Sequence, residues 1–346
     1  MPDGTSAPAI LTARNGLVFA HDDAPGITRR GAGAGFAYHD AKGKLIRDAE
    51  TLERIRKLAI PPAWTDVWIC PDPRGHIQAE GRDAKGRKQY RYHERWNAAR
   101  AETKYGRLPA FGRALPKLHT RVEQDLSLRG PSRDKLLATA VRLLEISLIR
   151  VGNREYARQN HSFGLTTLHK RHLEVDGSAL MLHFVGKSGV EQRVSVRDRR
   201  LARIVQGLRE LPGQRLFKYR NEDGDLTPIE SADVNAYIRE TMGDDFSAKD
   251  FRTWAATVSA ARTLCLEPPP ESAAAAKRTA TRAIKAVAAI LGNTPTVCRS
   301  SYVHPAVLEA FAEGRLAEAF PGPEGPRFEK AMIAFLEGAA ERAKAA

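Results

Sequence analysis

Cysteine is scarce in this chain of 346 residues, and the three present, Cys70, Cys265 and Cys298, are widely separated. An odd, scattered set excludes a disulfide framework and a cysteine-held zinc, so all three are read as buried thiols. Long apolar runs are missing too. None reaches the roughly 18 residues that a membrane helix needs, and Asp3, Arg14 and Asn15 interrupt the start of the chain where a secretory signal would be apolar. A cytoplasmic protein without a membrane partner is expected. Metal-ligand spacing reduces to His169-x-x-His172, with no cysteine and no second histidine pair nearby in sequence, so no metal site is expected. Nucleotide-binding patterns fail on context. Gly31-x-Gly33-x-Gly35 lacks the preceding strand and following helix of a dinucleotide fingerprint and reads as a flexible turn. Gly186-Lys187-Ser188 ends like a phosphate-binding loop, but Met181 stands where that loop needs a glycine, and a strand pattern follows. No nucleotide cofactor is expected.

Acidic residues are the remaining shortage: 41 Asp and Glu face 55 Lys and Arg, a net charge of +14. With no basic amphipathic tail to carry the excess to a membrane, the partner it points to is a nucleic acid. Length suggests two domains, and 42% hydrophobic residues suffices for packed cores.

The first 100 residues read as a small antiparallel β-sheet domain. Phe36-Ala37-Tyr38 precedes a turn at Asp40 to Gly43, and Val67 to Cys70 and His76 to Ala79 flank the hairpin signal Pro71-Asp72-Pro73-Arg74-Gly75. Asp48 is placed to cap a helix with Leu52, Ile55 and Leu58 on one side, closed by Pro61-Pro62. In the segment Gly81 to His93, basic residues interleave with aromatics; as a strand it sets Tyr90 and Tyr92 on one face and Gln89 and Arg91 on the other, a layout suited to DNA. Residues 100–130, polar and basic with Pro109 and Pro116, read as a hinge.

Residues 101–346 read as a larger, mainly helical domain, so the fold class expected is α+β. Ser132 is placed to cap a helix running to about Arg150, with Leu137, Val141, Leu144 and Leu148 as its buried row. Arg150, beside Leu143 and Ile146 at the end of this helix, needs an anion, either a carboxylate or a phosphate. Residues 163–197 switch to a strand pattern that forms a three-stranded meander, with turns at Asp176-Gly177 and Gly186 to Gly189. The rest reads as helices: Ala232 to Met242, Phe251 to Leu264, Ser272 to Leu291, Pro305 to Ala319 and Arg327 to Ala345. In the third of these Ala280, Ile284, Val287 and Leu291 form an apolar row opposite Arg278, Arg282 and Lys285.

Tyr302 lies between Leu291-Gly292-Asn293-Thr294-Pro295 and His304-Pro305. A phenol is a poor nucleophile at its ordinary pKa of about 10, so a catalytic tyrosine needs cations and donors around a polarised electrophile. Arg150, Lys187 and Arg252 are candidates to supply them. Taken in order, Gly81 to Tyr90, Ile149 to Asn153 with Asn160 and Gly164 to Leu168, Phe184 to Lys187, Lys249 to Thr253, and Gly292 to Pro295 with Tyr302 resemble the poxvirus-type DNA topoisomerases of class IB in their bacterial form.

That resemblance, running from about His76 to the C-terminus, implies a phosphoryl-transfer enzyme. Tyr302 attacks a backbone phosphorus of duplex DNA, forms a 3′-phosphotyrosyl link and releases a 5′-hydroxyl; the nicked strand swivels and the hydroxyl attacks back. It implies that Arg150 and Arg252 hold the non-bridging oxygens and that Lys187 protonates the leaving 5′-oxygen. It further implies that neither ATP nor metal is required, because the link conserves the ester. Viral members carry histidine where this chain has Asn293, which donates a hydrogen bond but carries no proton. Matching residue by residue, Gln89, Tyr90 and Tyr92 fall where the family's small domain touches DNA, and Tyr156, Asn160 and Lys249 match contacts from the catalytic domain. The implied molecule is a monomeric, nucleoid-associated clamp. Tyrosine recombinases share the Arg, Lys, Arg, Tyr chemistry but place histidine three residues before the second arginine, where this chain has Lys249. A non-catalytic DNA-binding protein accounts for the charge but not for the spaced motifs.

Overall fold

The structure is a computed structural model that describes residues 7–33, 35–243, 246–320, 322 and 326–345; Asp3, used above, lies outside them. The fold is α+β and divides into two compact units, Met1–Tyr105 and Gly106–Ala346.

Among the described residues, the first unit is built on an antiparallel sheet ordered β2-β1-β3-β4-β5. Its helix α1 (Ala7–Arg14) precedes β1 (Ile27–Ala32) and β2 (Gly35–His39), followed by α2 (Ala49–Lys57), β3 (Thr65–Ile69), β4 (Ile77–Arg82), β5 (Lys88–Tyr92) and α3 (Glu94–Gly106). The glycine run is therefore a hairpin between two strands; Gly33, at φ +57°, makes the turn that a residue with Cβ resists. Asp48 caps α2 by accepting from Thr51 N at 2.8 Å, and α2 turns Ile55 into a core with Ile27, Val67, Ile69 and Ala79. Across β4 and β5, Glu80 pairs with Tyr90 and Gly81 with Gln89.

In the second unit the segment read as a hinge is instead α4 (Leu108–Leu126), the helix against which α5, α8, α9 and α13 pack. Its basic residues Arg113 and Lys117 face solvent, while Leu108, Phe111, Leu115, Leu118, Val122 and Leu126 form a buried stripe at helical spacing. Charge on the outer face masked that stripe. Phe111 meets Phe246, Phe251 and Trp254 at ring separations of 5.5, 5.2 and 6.3 Å. Buried Asp125 accepts from Arg121 at 2.8 Å and from the Tyr237 hydroxyl at 2.7 Å, tying α4 to α8.

Helix α5 (Arg133–Ser147) starts at Ser132, as expected, but stops before Arg150 because Leu148 takes the left-handed conformation at φ +54°. Ile146 is exposed, and Arg150 lies on a segment that is neither helix nor strand and leads to α6 (Arg154–Asn160). Gly164 to Leu168 is likewise no strand: residues Leu165–Thr167 form a 3₁₀ turn, with a second at Lys170–His172. The meander β6 (Leu173–Asp176), β7 (Ala179–Val185) and β8 (Glu191–Arg197) follows. Then come α7 (Arg199–Glu210), the hairpin β9 (Lys218–Arg220) and β10 (Leu226–Pro228), α8 (Ser231–Met242) and α9 (Ala248–Cys265). The chain ends with α10 (Ala273–Leu291), α11 (Pro295–Ser301), α12 (Pro305–Ala312) and α13 (Pro326–Ala345). Helix α10 buries Ala280, Ile284, Val287 and Leu291 and exposes Arg278, Arg282 and Lys285. Cys70 and Cys298 are buried, whereas Cys265 is only half-buried at the end of α9.

Candidate active site

A pair of glycines sets the position of Arg150. A Cβ on Gly164 would fall 2.5 Å from the Arg150 carbonyl and 2.6 Å from Gly152 Cα, so these backbones touch directly. The contact is sealed by Leu165 N to Arg150 O and Thr166 N to Val151 O, both 2.8 Å. From this anchored segment Arg150 Nη2 donates to Asn293 Oδ1 at 2.6 Å. Within the chain, the Arg150 guanidinium thus has the Asn293 amide oxygen as a partner.

Arg252 comes from the first turn of α9, whose start is fixed by Asp250 accepting from Ser247 N at 2.9 Å and Ser247 Oγ at 3.0 Å. Only 4% of Arg252 is exposed. It donates Nη1 to the Leu148 carbonyl and Nη2 to the Leu291 carbonyl, joining the C-terminal ends of α5 and α10. Carbonyls at helix ends carry negative partial charge, which suits a buried cation. Burial lowers its pKa, and Arg150 nearby acts in the same direction. Arginine has five N–H groups, so donors remain after these two bonds. Its Nε is buried and has no hydrogen-bond partner among the described residues.

Tyr302 ends α11, a helix capped by Thr294, which accepts from Val297 N at 3.3 Å, and begun by Pro295. Its ring lies 5.2 Å from the Arg252 guanidinium. Burial raises the phenol's pKa, but the charges of Arg252 and Arg150, a hydrogen bond from Arg252 and the charge of Lys249 outweigh it, so the hydroxyl sits below its ordinary value. The backbone on either side of the ring is held by Thr257, a residue no sequence signal picked out. Its hydroxyl accepts from His304 N at 3.1 Å and shares its one proton between the Thr253 carbonyl at 2.8 Å and the Tyr302 carbonyl at 3.2 Å. A fully buried threonine amid the apolar face of α9 looks in sequence like core.

These groups converge. A cleft of about 760 Å³ is lined by Arg150, Lys187, Arg252 and Tyr302, and also by Tyr156 and Lys249. Lys187 is exposed on the turn after β7, where Ser188 is left-handed at φ +67°. Asn293 reaches the cluster through Arg150; its Nδ2 is buried with no partner among the described residues. Asn160 is turned back to its own helix, donating to the Tyr156 carbonyl at 3.3 Å, and Gln159 lines the cleft instead. The remaining candidates belong to the first unit. There Tyr90 and Tyr92 stack at 5.8 Å on β5, with Tyr90 38% exposed. Gln89 Nε2 donates to Asp83 at 2.9 Å, and Lys88, the residue before it, is paired with Asp22 at 2.5 Å and Glu80 at 2.7 Å. Among the described residues no group of three or more His, Cys, Asp or Glu is placed to hold a metal ion, and no helix is long and apolar enough to cross a membrane.

Comparison with known proteins finds two family matches. Residues 93–318 match the eukaryotic DNA topoisomerase I catalytic core, and residues 35–83 match the bacterial DNA topoisomerase IB N-terminal domain. The DNA topoisomerase 1B of Acanthamoeba polyphaga mimivirus is 35% identical over 293 residues, covering 83% of this chain and 87% of that protein. DNA topoisomerase 1 of Rabbit fibroma virus is 26% identical, over 79% of this chain and 88% of its own. DNA topoisomerase 1B of Vaccinia virus is 22% identical, over 76% and 82%.

Proposed function

Because this chain belongs to the type IB DNA topoisomerase family, we propose that it relaxes supercoiled duplex DNA by cutting and resealing one strand through Tyr302. The observation that carries this reading is one cleft lined by Tyr302, two arginines and two lysines. The Tyr302 oxygen attacks phosphorus while the bond to the 5′-oxygen breaks, leaving a 3′-phosphotyrosyl ester. Cations beside the phenol favour its deprotonated, nucleophilic form. Negative charge gathers on the non-bridging oxygens, where Arg150 and the N–H groups that Arg252 does not spend on the helix ends receive it. Asn293 adds Nδ2, a buried donor that a phosphoryl oxygen would satisfy. Lys187 gives its proton to the departing 5′-oxygen and takes it back on resealing. The ester stores the energy of the broken bond, so reclosure needs no nucleotide.

In this reading Tyr156 and Lys249 meet the DNA from the cleft, and Asn160 does so only if its side chain leaves the Tyr156 carbonyl. Gln89, Tyr90 and Tyr92 contact DNA from the N-terminal unit, stacking and hydrogen bonding where Lys88 is already neutralised. The test is plasmid relaxation in EDTA without ATP by the full chain and by Tyr302→Phe. The parent is expected to yield relaxed topoisomers and a covalent protein–DNA adduct under denaturing arrest. The variant should bind DNA and give neither. An adduct persisting in Tyr302→Phe sinks the assignment.

A further inference from the structure

Gln192 lies on β8 opposite Phe184, half-buried, and no step above uses it. Its side chain runs between two glycines that are remote in sequence. A Cβ on Gly186 would fall 2.9 Å from Gln192 Cγ, and a Cβ on Gly292 would fall 2.6 Å from its Nε2 and 2.8 Å from its Oε1. Each glycine immediately precedes a cluster residue: Gly186 precedes Lys187, and Gly292 precedes Asn293.

Gly292 has a backbone reason to be glycine, because it ends α10 at φ +59°. Gly186 has none. Its φ of −92° and ψ of −170° are open to other residues. Space is what Gly186 lacks, and the atoms nearest its missing Cβ are Gln192 Cγ and, at 3.3 Å, the Val190 carbonyl. The amide of Gln192 makes one long hydrogen bond among the described residues, Nε2 to the Glu191 carbonyl at 3.4 Å. It therefore acts chiefly by filling space.

We infer that Gln192 is a positioning residue, a spacer that sets the Lys187 turn against the Asn293 loop by packing on Gly186 and Gly292. Shortening it leaves the turn free to move away from the loop. The proton donor then meets the leaving oxygen less often, while the nucleophile and the arginines, held by α9, α11 and the Gly152–Gly164 contact, stay in place. Misplacement of a reacting group by about 1 Å costs on the order of 10²-fold in rate.

This inference rests on Lys187 being the proton donor, so both are tested together by single-turnover cleavage of an ordinary strand and of one with a 5′-bridging phosphorothiolate, whose sulfur leaves without a proton. Gln192→Ala is expected to slow the ordinary strand by roughly 10- to 100-fold and to recover most of that on the phosphorothiolate, as Lys187→Ala does. Gln192→Met, of similar length but without the amide, should restore most of the rate lost in Gln192→Ala on the ordinary strand. If the phosphorothiolate rescues Lys187→Ala but not a folded Gln192→Ala, the spacer role is wrong and the proton donor stands. Should it rescue neither variant, Lys187 is not the donor and the inference falls with it. Parent-like cleavage by Gln192→Ala, or a folded Gln192→Met as slow as Gln192→Ala, also overturns the spacer.

Discussion

At the residue scale the decisive atom is Nδ2 of Asn293. Its Oδ1 is committed to Arg150, and leaving a buried donor unmatched costs about 1–3 kcal/mol, a cost removed when an oxygen arrives. Asn293→Ala is therefore expected to lose on the order of 10²–10³ in cleavage rate, as when one oxyanion donor is removed. Asn293→His should keep substantial activity and acquire a pH dependence near 6.5, the ordinary histidine pKa. Single-turnover cleavage against pH decides between them, and parent-like cleavage by Asn293→Ala would reduce this residue to a loop support. His304 has a different fate. It caps α12, with Nδ1 accepting from Ala306 N at 3.1 Å, and burial pushes its pKa down to about 4. A histidine with a lower pKa folded than unfolded binds its proton preferentially in the unfolded chain. Stability is then full above about pH 6.5 and declines as pH falls toward 4. Buried His172, also lowered to about 4 by burial first and by His169 and Arg171 next, adds to the decline. His304→Asn keeps a capping acceptor and should flatten part of that slope in thermal melts taken from pH 7 to 4; an unchanged slope would remove His304 from the account.

At the scale of elements, the geometry of the cleft comes from where helices end. Leu148 stops α5 and Gly292 stops α10, and Arg252 binds the final carbonyls of both. One side chain thus links the segment carrying Arg150, the loop carrying Asn293 and its own helix α9. The Gly152–Gly164 contact completes the frame. Gly164→Ala introduces no backbone strain, since φ there is −147°, but its Cβ has no room beside the Arg150 carbonyl. It is expected to destabilise by about 1–3 kcal/mol, the usual range for overpacking, and to slow cleavage by displacing Arg150. Thermal unfolding and single-turnover cleavage measure the two effects; a stable variant that cleaves normally would show that this contact does not set Arg150.

At the scale of the molecule, all groups proposed for chemistry lie in one unit of one chain, Gly106–Ala346. A single chain acting alone follows as the proposal. Mixing Tyr302→Phe with Lys187→Ala should then give no more relaxation than either variant separately. Activity recovered on mixing would mean that one chain lends its tyrosine to another, the behaviour of a recombinase assembly.

The sequence by itself was enough for the topoisomerase family, the meander, the capped helices at Asp48 and Ser132, and the spaced order of Arg150, Lys187, Arg252 and Tyr302, which the fold brings to one cleft. These depend on local pattern or on motif order, and both are written along the chain. It misread α4 because exposed Arg113 and Lys117 drew attention from a buried stripe, and it carried α5 through to Arg150 because no local rule places Leu148 in a left-handed turn. Helices α6 and α11 escaped because seven residues are too few to show apolar periodicity, whereas α7 does carry a helical row, Leu201, Val205 and Leu208, which its flanking arginines obscured. What only the tertiary structure decided is which atoms are spent and which are left over. Arg150 turned to Asn293, Arg252 shared between two helix ends, Thr257 clasping the backbone around Tyr302 and Gln192 lodged between two glycines all join residues far apart in sequence. Such contacts depend on packing between elements, and packing has no signature at any single position in the chain.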